Sequence, residues 1–486
     1  MKLAVIGSGI AGIASAVRMA IKGFEVDVYE ANDYPGGKLS EFYLGEYRFD
    51  AGPSLFTMPH YVEELFAEAG KKVEDYFNYE KLEVICNYFW EDGDRLSAFA
   101  DIDRFDQAVQ DLFQTDKNVI HKILQDSRRK YELCGKIFLE NSLHKLKTWT
   151  NMEALKGLMA GPSLDLFTSM HRVNEKQAQH PKLVQLFDRY ATYNGSNPYL
   201  TPGLMSVIPH FEYNIGAFVP KQGMFSITAS LKKLAEDLGV RFHFNQKVEE
   251  IIIKNKKVSG IKIKGERVAC DFVISNMDIF NTYKKLLKGI SPPKRILAQK
   301  KSTSALIFYW GVQRSFPALD VHNILFSQDY QNEFSLMESG KVSKDPTVYI
   351  NISKKYKNTD APEGCENWFV MINVPNNSGQ DWEQLIPEIR HNSIQKINRM
   401  LNVNMEELIL CESSLDPRSI ESKTSSHLGA LYGNSSDSKW AAFMRHSNFS
   451  KQIKNLYFCG GSVHPGGGIP LCLLSAKIID DNIKLN

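Results

Sequence analysis

Neither sign of charge is in excess in this 486-residue chain: 58 Lys and Arg stand against 56 Asp and Glu, a net charge of +2. A nucleic-acid partner, which calls for a basic face, is therefore not expected. Cysteine is sparse. The seven residues form no CxxC pair and sit in apolar surroundings, as at Cys134, Cys270 and Cys472, which argues against a disulfide framework or a zinc site and for reduced thiols in a cytoplasmic protein. No run approaches the roughly 18 apolar residues of a spanning helix. A secretory leader is not expected either, because Gly7 and Gly9 would break its apolar stretch. Repeats and low-complexity segments are also missing, and the length exceeds one hydrophobic core, so two or more domains are expected.

What is present starts almost at once. An apolar strand, residues 3–6, runs into Gly7-Ser8-Gly9-Ile10-Ala11-Gly12, then a helix to about residue 22 and a second strand, Val26-Asp27-Val28-Tyr29, closed by Glu30. This is a dinucleotide-binding fingerprint: Gly7 for the tight turn, Gly9 for approach to a pyrophosphate, Gly12 for close helix–strand packing. The helix N-terminus points its N–H groups at the phosphates, and Glu30 stands where a carboxylate accepts from ribose hydroxyls. Tyr34-Pro35-Gly36-Gly37-Lys38 and Phe49-Asp50-Ala51-Gly52-Pro53-Ser54 add turn-rich backbone near the ligand. Residues 61–171 read as mostly helical and 194–209 as a Gly/Pro/Ser-rich linker. A helix over 227–238, a strand over 240–244, a β-meander over 247–269 and a buried strand at 271–276 then resume the dinucleotide pattern. Residues 304–312, 323–327 and 347–352 are β-rich, with a covering helix at 382–401. A strand at 455–459, a glycine-rich loop at 460–468 and a helix at 469–483 repeat at the end the order of the beginning.

That last loop, Gly460-Gly461-Ser462-Val463-His464-Pro465-Gly466-Gly467-Gly468-Ile469-Pro470, resembles the C-terminal signature of the carotenoid (phytoene-type) desaturases, FAD oxidoreductases of the amine-oxidase-like superfamily. Residues 49–53, Asn197-Pro198 with Thr201-Pro202, 220–224, 360–364 and 429–433 resemble family stretches in the same order, and residues 75–190 match least. One departure is Gln222-Gly223, where the family has a glycine pair beside the flavin.

The resemblance implies an α/β fold: a Rossmann-like FAD-binding domain of the amine oxidase or glutathione reductase type (residues 1–75, 215–285 and 450–486). It is interleaved with an α+β substrate-binding domain (76–214 and 286–449). It also implies that Gly7, Ser8, Gly9, Ala11, Gly12, Glu30, Ala31, Gly37 and Lys38 hold the ADP part of FAD, with Val248 meeting the adenine. Pro53 and Ser54 then lie near the flavin, and Gly461, Ser462, Gly468, Ile469 and Pro470 surround its edge.

The implied reaction is removal of two hydrogens from a forty-carbon carotenoid: a hydride leaves for flavin N5, a proton leaves the adjacent carbon, and a quinone or oxygen accepts the electrons. Within the family the chain resembles the 1-hydroxycarotenoid 3,4-desaturases more than enzymes acting on phytoene. A phytoene desaturase, a flavin-dependent isomerase or saturase and a non-catalytic prenyl-binding chaperone share the fold and stay open as alternatives. Candidate proton acceptors are His464, His210, Glu212 and Asp50. Residues 137–159 and 282–301 mix basic with apolar side chains. A peripheral contact with the cytoplasmic face of a membrane is expected through one of them, a core-facing amphipathic helix being the alternative. Tyr190, Tyr193, Phe308, Tyr309 and Trp310 are candidates for a substrate tunnel.

Overall fold

A computed structural model describes residues 1–150, 161–438 and 444–483. Its first layer is a five-stranded parallel sheet in the order Arg241–His243, Glu25–Tyr29, Lys2–Ile6, Phe272–Ser275, Leu456–Phe458. The central strands Lys2–Ile6 and Phe272–Ser275 are apolar nearly throughout because both faces are covered. On one face lie the helices Ile10–Ile21, Phe225–Asp237 and Ile469–Asp480, sharing a core of Ile13, Val17, Leu231, Leu234, Leu473 and Ile479. The first of these is buried on nearly every side, and its small residues Ala11, Gly12, Ala14 and Ala16 let it sit close to the sheet. The antiparallel strands Val248–Lys254, Lys257–Ile263 and Glu266–Val268 cover the other face.

The second layer is a seven-stranded sheet in the order Ile409–Leu415, Ser304–Val312, Glu366–Val374, Val348–Ile352, His322–Leu325, Val84–Phe89, Arg95–Phe99. All pairs are antiparallel except the one between His322–Leu325 and Val84–Phe89. The helix Trp382–Leu401 packs on one face, around Trp310, Trp368, Trp382, Ile389 and Ile397. Alternate residues of the central strands, Ile307 and Tyr309 with Phe369, point to the opposite face. Buried Arg48, in the two-stranded hairpin Glu41–Leu44 and Tyr47–Asp50, bonds Glu41 at 2.6 Å and Asp50 at 2.7 Å within the hairpin and Asp360 at 3.1 Å in the turn before the strand Glu366–Val374.

Three expectations are corrected. Residues 79–99, read as helical, form the strands Tyr79–Lys81, Val84–Phe89 and Arg95–Phe99. The turn Asp92-Gly93-Asp94 makes the last two a hairpin that completes the second sheet. Residues 194–209 are not a linker but a packed segment with the 3-10 turn Gly203–Val207. Its backbone is held in place by hydrogen bonds: the Thr201 N–H donates to the Asn197 carbonyl at 2.8 Å, and the Asn197 N–H to Asp437 at 2.8 Å. Residues 282–301 form no continuous amphipathic helix but a π-type turn, Thr282–Leu286, and a short helix, Lys294–Leu297; Lys301 is buried on Asn434 and Lys300 pairs with Glu338 and Asp437. Of the other basic segment, residues 151–159 lie outside the described residues. No helix among the described residues is long and apolar enough to cross a membrane. All seven cysteines are free, and no metal-binding cluster occurs among the described residues.

Candidate active site

A cavity of about 970 Å³ runs between the two layers. One arm is walled by backbone. Gly7 and Gly9, Glu30 and Ala31, Gly36 to Lys38, Pro53 and Ser54, Val248, Asn276, Gly460 to Ser462 and Gly466 to Pro470 all line it. The helices Ile10–Ile21 and Ile469–Asp480 both begin on this wall. Neither has a side-chain cap, and neither carries an acid in its first turn. Two uncapped helix N-termini aimed into one space favour anionic groups there.

The glycines are sterically required. A Cβ on Gly9 would lie 2.5 Å from Asn276 Oδ1, and one on Gly12 would lie 2.2 Å from the Gly7 carbonyl oxygen. Gly12 and Ser8 therefore shape the turn from behind and do not line the cavity. Ser8 orients Glu30, since its N–H and its hydroxyl both donate to Oε2 at 2.8 Å, while the Asn32 N–H donates to Oε1 at 2.9 Å. Asn276, at the carboxyl end of its strand, lies beside Gly7, Gly9, Gly12 and Gly460. Sequence reasoning missed it; the only signal was a polar residue directly after a buried strand.

Two cations, the half-buried Lys38 and the buried Arg445, complete this arm. Lys38 donates to the Ala430 and Leu431 carbonyls at 3.2 and 2.8 Å. Arg445, also missed, donates to the carbonyls of Tyr432, Gly461 and Asn434. Neither forms an ion pair among the described residues. Desolvation pulls the Lys38 ammonium down to about 8 and the Arg445 guanidinium to about 10. An anion in the arm would supply their missing counter-charge. The glycine cradle, the two helix termini, the Glu30 carboxylate on the wall and these cations together fit a dinucleotide with a diphosphate.

The other arm is walled by side chains and is mostly apolar: Ile85, Tyr131, Leu139, Leu204, Met205, Ile208, Phe211, Ile307, Tyr309, Ile324, Phe369 and Met371. Of the five aromatic candidates, Tyr193 and Tyr309 line it. Phe308 and Trp310 point from the same strand to the helix-covered face, and Tyr190 is buried behind the wall. Leu143 carries the lining toward Leu146, which is 86% exposed.

Three of the four proton-acceptor candidates do not reach this space. His464 turns away and meets the Asn141 carbonyl at 2.8 Å; burial pushes its imidazole down to about 4. His210 stacks on Tyr131 with ring centres 4.7 Å apart and is likewise lowered by burial to about 4. Asp50 salt-bridges Arg48 and accepts the N–H groups of Met224 and Phe225 at 3.0 and 2.9 Å, anchoring the start of the helix Phe225–Asp237. Glu212 does line the arm, with its oxygens already accepting from Tyr190 and Tyr193. Gln222 and Gly223 are off the cavity as well; Gly223 packs on the Arg48 guanidinium.

Residues 10–479 match the family of flavin-containing amine oxidoreductases. The chain belongs to that family, with FAD as its cofactor. Within it, the chain falls among the carotenoid desaturases. It is 51% identical over 483 residues, 99% of each chain, to the 1-hydroxycarotenoid 3,4-desaturase of Flavobacterium sp. (strain P99-3). It is 29% identical to the 4,4'-diapophytoene desaturase (4,4'-diaponeurosporene-forming) of Staphylococcus aureus (strain Newman), covering 100% of this chain and 99% of that one. Among solved structures, an oxidoreductase from Methanosarcina mazei superposes with a TM-score of 0.66 at 16% identity, over 99% of this chain and 100% of that one. Putrescine oxidase bound to putrescine superposes at 0.63 and 13%, over 99% of each. These two carry the fold alone.

Proposed function

We propose that the chain is an FAD-dependent desaturase that removes two hydrogens from a forty-carbon carotenoid, specifically at the 3,4 bond of a 1-hydroxycarotenoid. The observation that carries this reading is that one cavity joins the glycine-walled arm to a long apolar arm; the identity to a curated 3,4-desaturase supports the choice of bond. In this reading Gly7, Ser8, Gly9, Ala11, Gly12, Glu30, Ala31, Gly37, Lys38 and Val248 hold or shape the site of the ADP part. Pro53, Ser54, Gly461, Ser462, Gly468, Ile469 and Pro470 flank the ring. FAD supplies the two-electron acceptor when bound.

The chain's own residues do the rest. The walls of Ile307, Tyr309, Phe369 and Met371 exclude water and hold the polyene in one line. Arg445, Lys38 and the N-terminus of the helix Ile469–Asp480 stabilise negative charge on their side. Glu212 is the candidate left in reach of the substrate to take a proton. The exposed Leu146, flanked in the chain by the exposed Lys145 and Lys147, and the exposed Phe167 are the residues this reading assigns to a contact with the cytoplasmic face of the membrane from which substrate enters. A quinone or oxygen takes the electrons.

The test is incubation of the yellow protein in liposomes with acyclic, hydroxylated and monocyclic carotenoids, with products weighed. Loss of two hydrogens is expected with the 1-hydroxylated substrate. An unchanged mass would favour an isomerase, a gain of two a saturase, and a colourless protein that cannot be reconstituted would remove the redox reading.

A further inference from the structure

Of the four sequence candidates only Glu212 reaches the substrate arm, and its carboxylate is already engaged. Tyr190 and Tyr193 donate to it, and Arg189 lies 3.4 Å away. Outside those four, a hydrogen-bonded pair joins the two arms. Ser54, on the wall assigned to the flavin, has its Oγ 2.7 Å from the Tyr349 hydroxyl. Tyr349 packs against Phe369 of the apolar arm, with ring centres 6.2 Å apart. Both residues line the cavity, and both are only half-buried.

The direction of this pair is set by what lies behind it. In the antiparallel register His322 stands opposite Asn351, two residues along the strand Val348–Ile352 from Tyr349. His322 Nδ1 lies 2.7 Å from the Tyr349 hydroxyl and 3.2 Å from Asn351 Nδ2. The same Asn351 nitrogen donates to the Val321 carbonyl at 3.0 Å, which fixes the orientation of that amide. An amide nitrogen only donates, so Nδ1 is an acceptor. Tyr349 must then give its one proton to Nδ1, and Ser54 must give its own to the Tyr349 oxygen. The chain runs one way, from Ser54 through Tyr349 to His322, and Ser54 Oγ keeps its lone pairs for an incoming proton.

We infer that this chain carries away the proton lost from the substrate, with Ser54 Oγ as the group that takes it. The inference rests on the desaturase reading above and begins once the hydride has left. The C–H bond next to the cationic carbon breaks: its electron pair becomes the new π bond and its proton passes to Ser54 Oγ. The Ser54 hydroxyl proton moves to Tyr349 and the Tyr349 proton to His322 Nδ1, so both hydroxyls are regenerated and the imidazole holds one added proton. A C–H beside a delocalised cation is a strong acid, so a weak base is enough. Burial, with Arg189 nearby, holds the imidazole at about 3, and it returns the proton along the same chain to water once product has left. A stronger base would stay protonated and block the next turnover.

The test is single-turnover reduction of the flavin-loaded full chain by a 1-hydroxycarotenoid in H2O and in D2O, followed at the flavin band. A proton passing from carbon straight to Glu212 involves no exchangeable hydrogen and gives equal rates. The relay moves two hydroxyl protons and should run at least about twofold slower in D2O. Tyr349→Phe should lose that solvent effect and slow reduction at least about tenfold, with flavin content kept and half-saturation within about twofold. Ser54→Ala should behave alike, and Ser54→Thr, which keeps the hydroxyl, should restore both rate and solvent effect. Equal wild-type rates in the two solvents, or a Tyr349→Phe variant that keeps the effect, overturns the inference and leaves the desaturase reading standing. A flavin-loaded wild type that no carotenoid reduces overturns the two together. If Tyr349→Phe fails to fold, wild type and Ser54→Ala still decide.

Discussion

The two arms of the cavity are built in opposite ways. The arm between residues 7 and 37 and residues 460–470 is made of backbone: glycines, helix termini and carbonyls, with few side chains reaching inward. The substrate arm is made of side chains drawn from distant strands and helices, with no main-chain pattern of its own. A wall of backbone demands particular residue types at fixed spacing, whereas a wall of side chains demands only that the total shape be apolar and the right width. The first kind of site is rigid and generic to its cofactor; the second is where specificity is set.

The sharpest attempt to break this contrast is Gly9→Val. Its Cβ would sit 2.5 Å from Asn276 Oδ1 at the phosphate-facing turn, and flavin content, read by absorbance near about 450 nm, should fall at least about tenfold. Met371→Glu is the counterpart on the other wall. It places a carboxylate in the apolar arm, so kcat/KM should fall at least about tenfold while the flavin band is kept. Loss of flavin from this variant would mean that the arms are not separable.

Acid should act on the body of the protein around both arms. His446, His464, His210 and His322 are held by burial at about 3 to 4. Unfolded histidines titrate near about 6.5. Between these values the unfolded chain binds protons that the folded chain does not, so stability rises with pH across the window and is lost on acidification. Urea midpoints measured from pH 7 to pH 5 should fall, by at most about 2 kcal/mol per histidine; a flat profile would contradict the burial of these rings. The smallest effect is expected from His464→Gln, which should change kcat less than about threefold and leave the pH–rate profile in place. A large fall with a shifted profile would return proton transfer to the glycine loop.

The same contrast explains what could be read from the chain. Gly7 to Gly12 and Glu30 were legible because turn, close approach and ribose contact each need one residue type within a short span. The strand, glycine-rich loop and helix over 455–483 were legible as a second pattern of that order, and the role proposed for 460–470 came from the resemblance of that loop to a family signature. Ile307 and Tyr309 could not be told from Phe308 and Trp310, since the strand Ser304–Val312 is buried along its whole length and shows no alternation. Residues 84–99 were misread because a mixed apolar stretch gives no decisive period. His322 and Arg189 could not be found at all: they meet only when strands and helices far apart in sequence pack.

The parallel sheet also sets a timetable. Its central strand Lys2–Ile6 and its edge strand Leu456–Phe458 belong to one layer, and Lys22 pairs with Asp480 at 2.9 Å across the packed first and last helices. At ribosomal speeds of roughly 5–20 residues per second, the first strand waits on the order of 20–90 s for the last. Until then the nascent chain exposes the apolar face that the helix Ile469–Asp480 will cover. Synthesis of this protein should therefore lean on chaperones holding the segment that carries the strand Lys2–Ile6, and a chain released before residue 456 should not retain flavin.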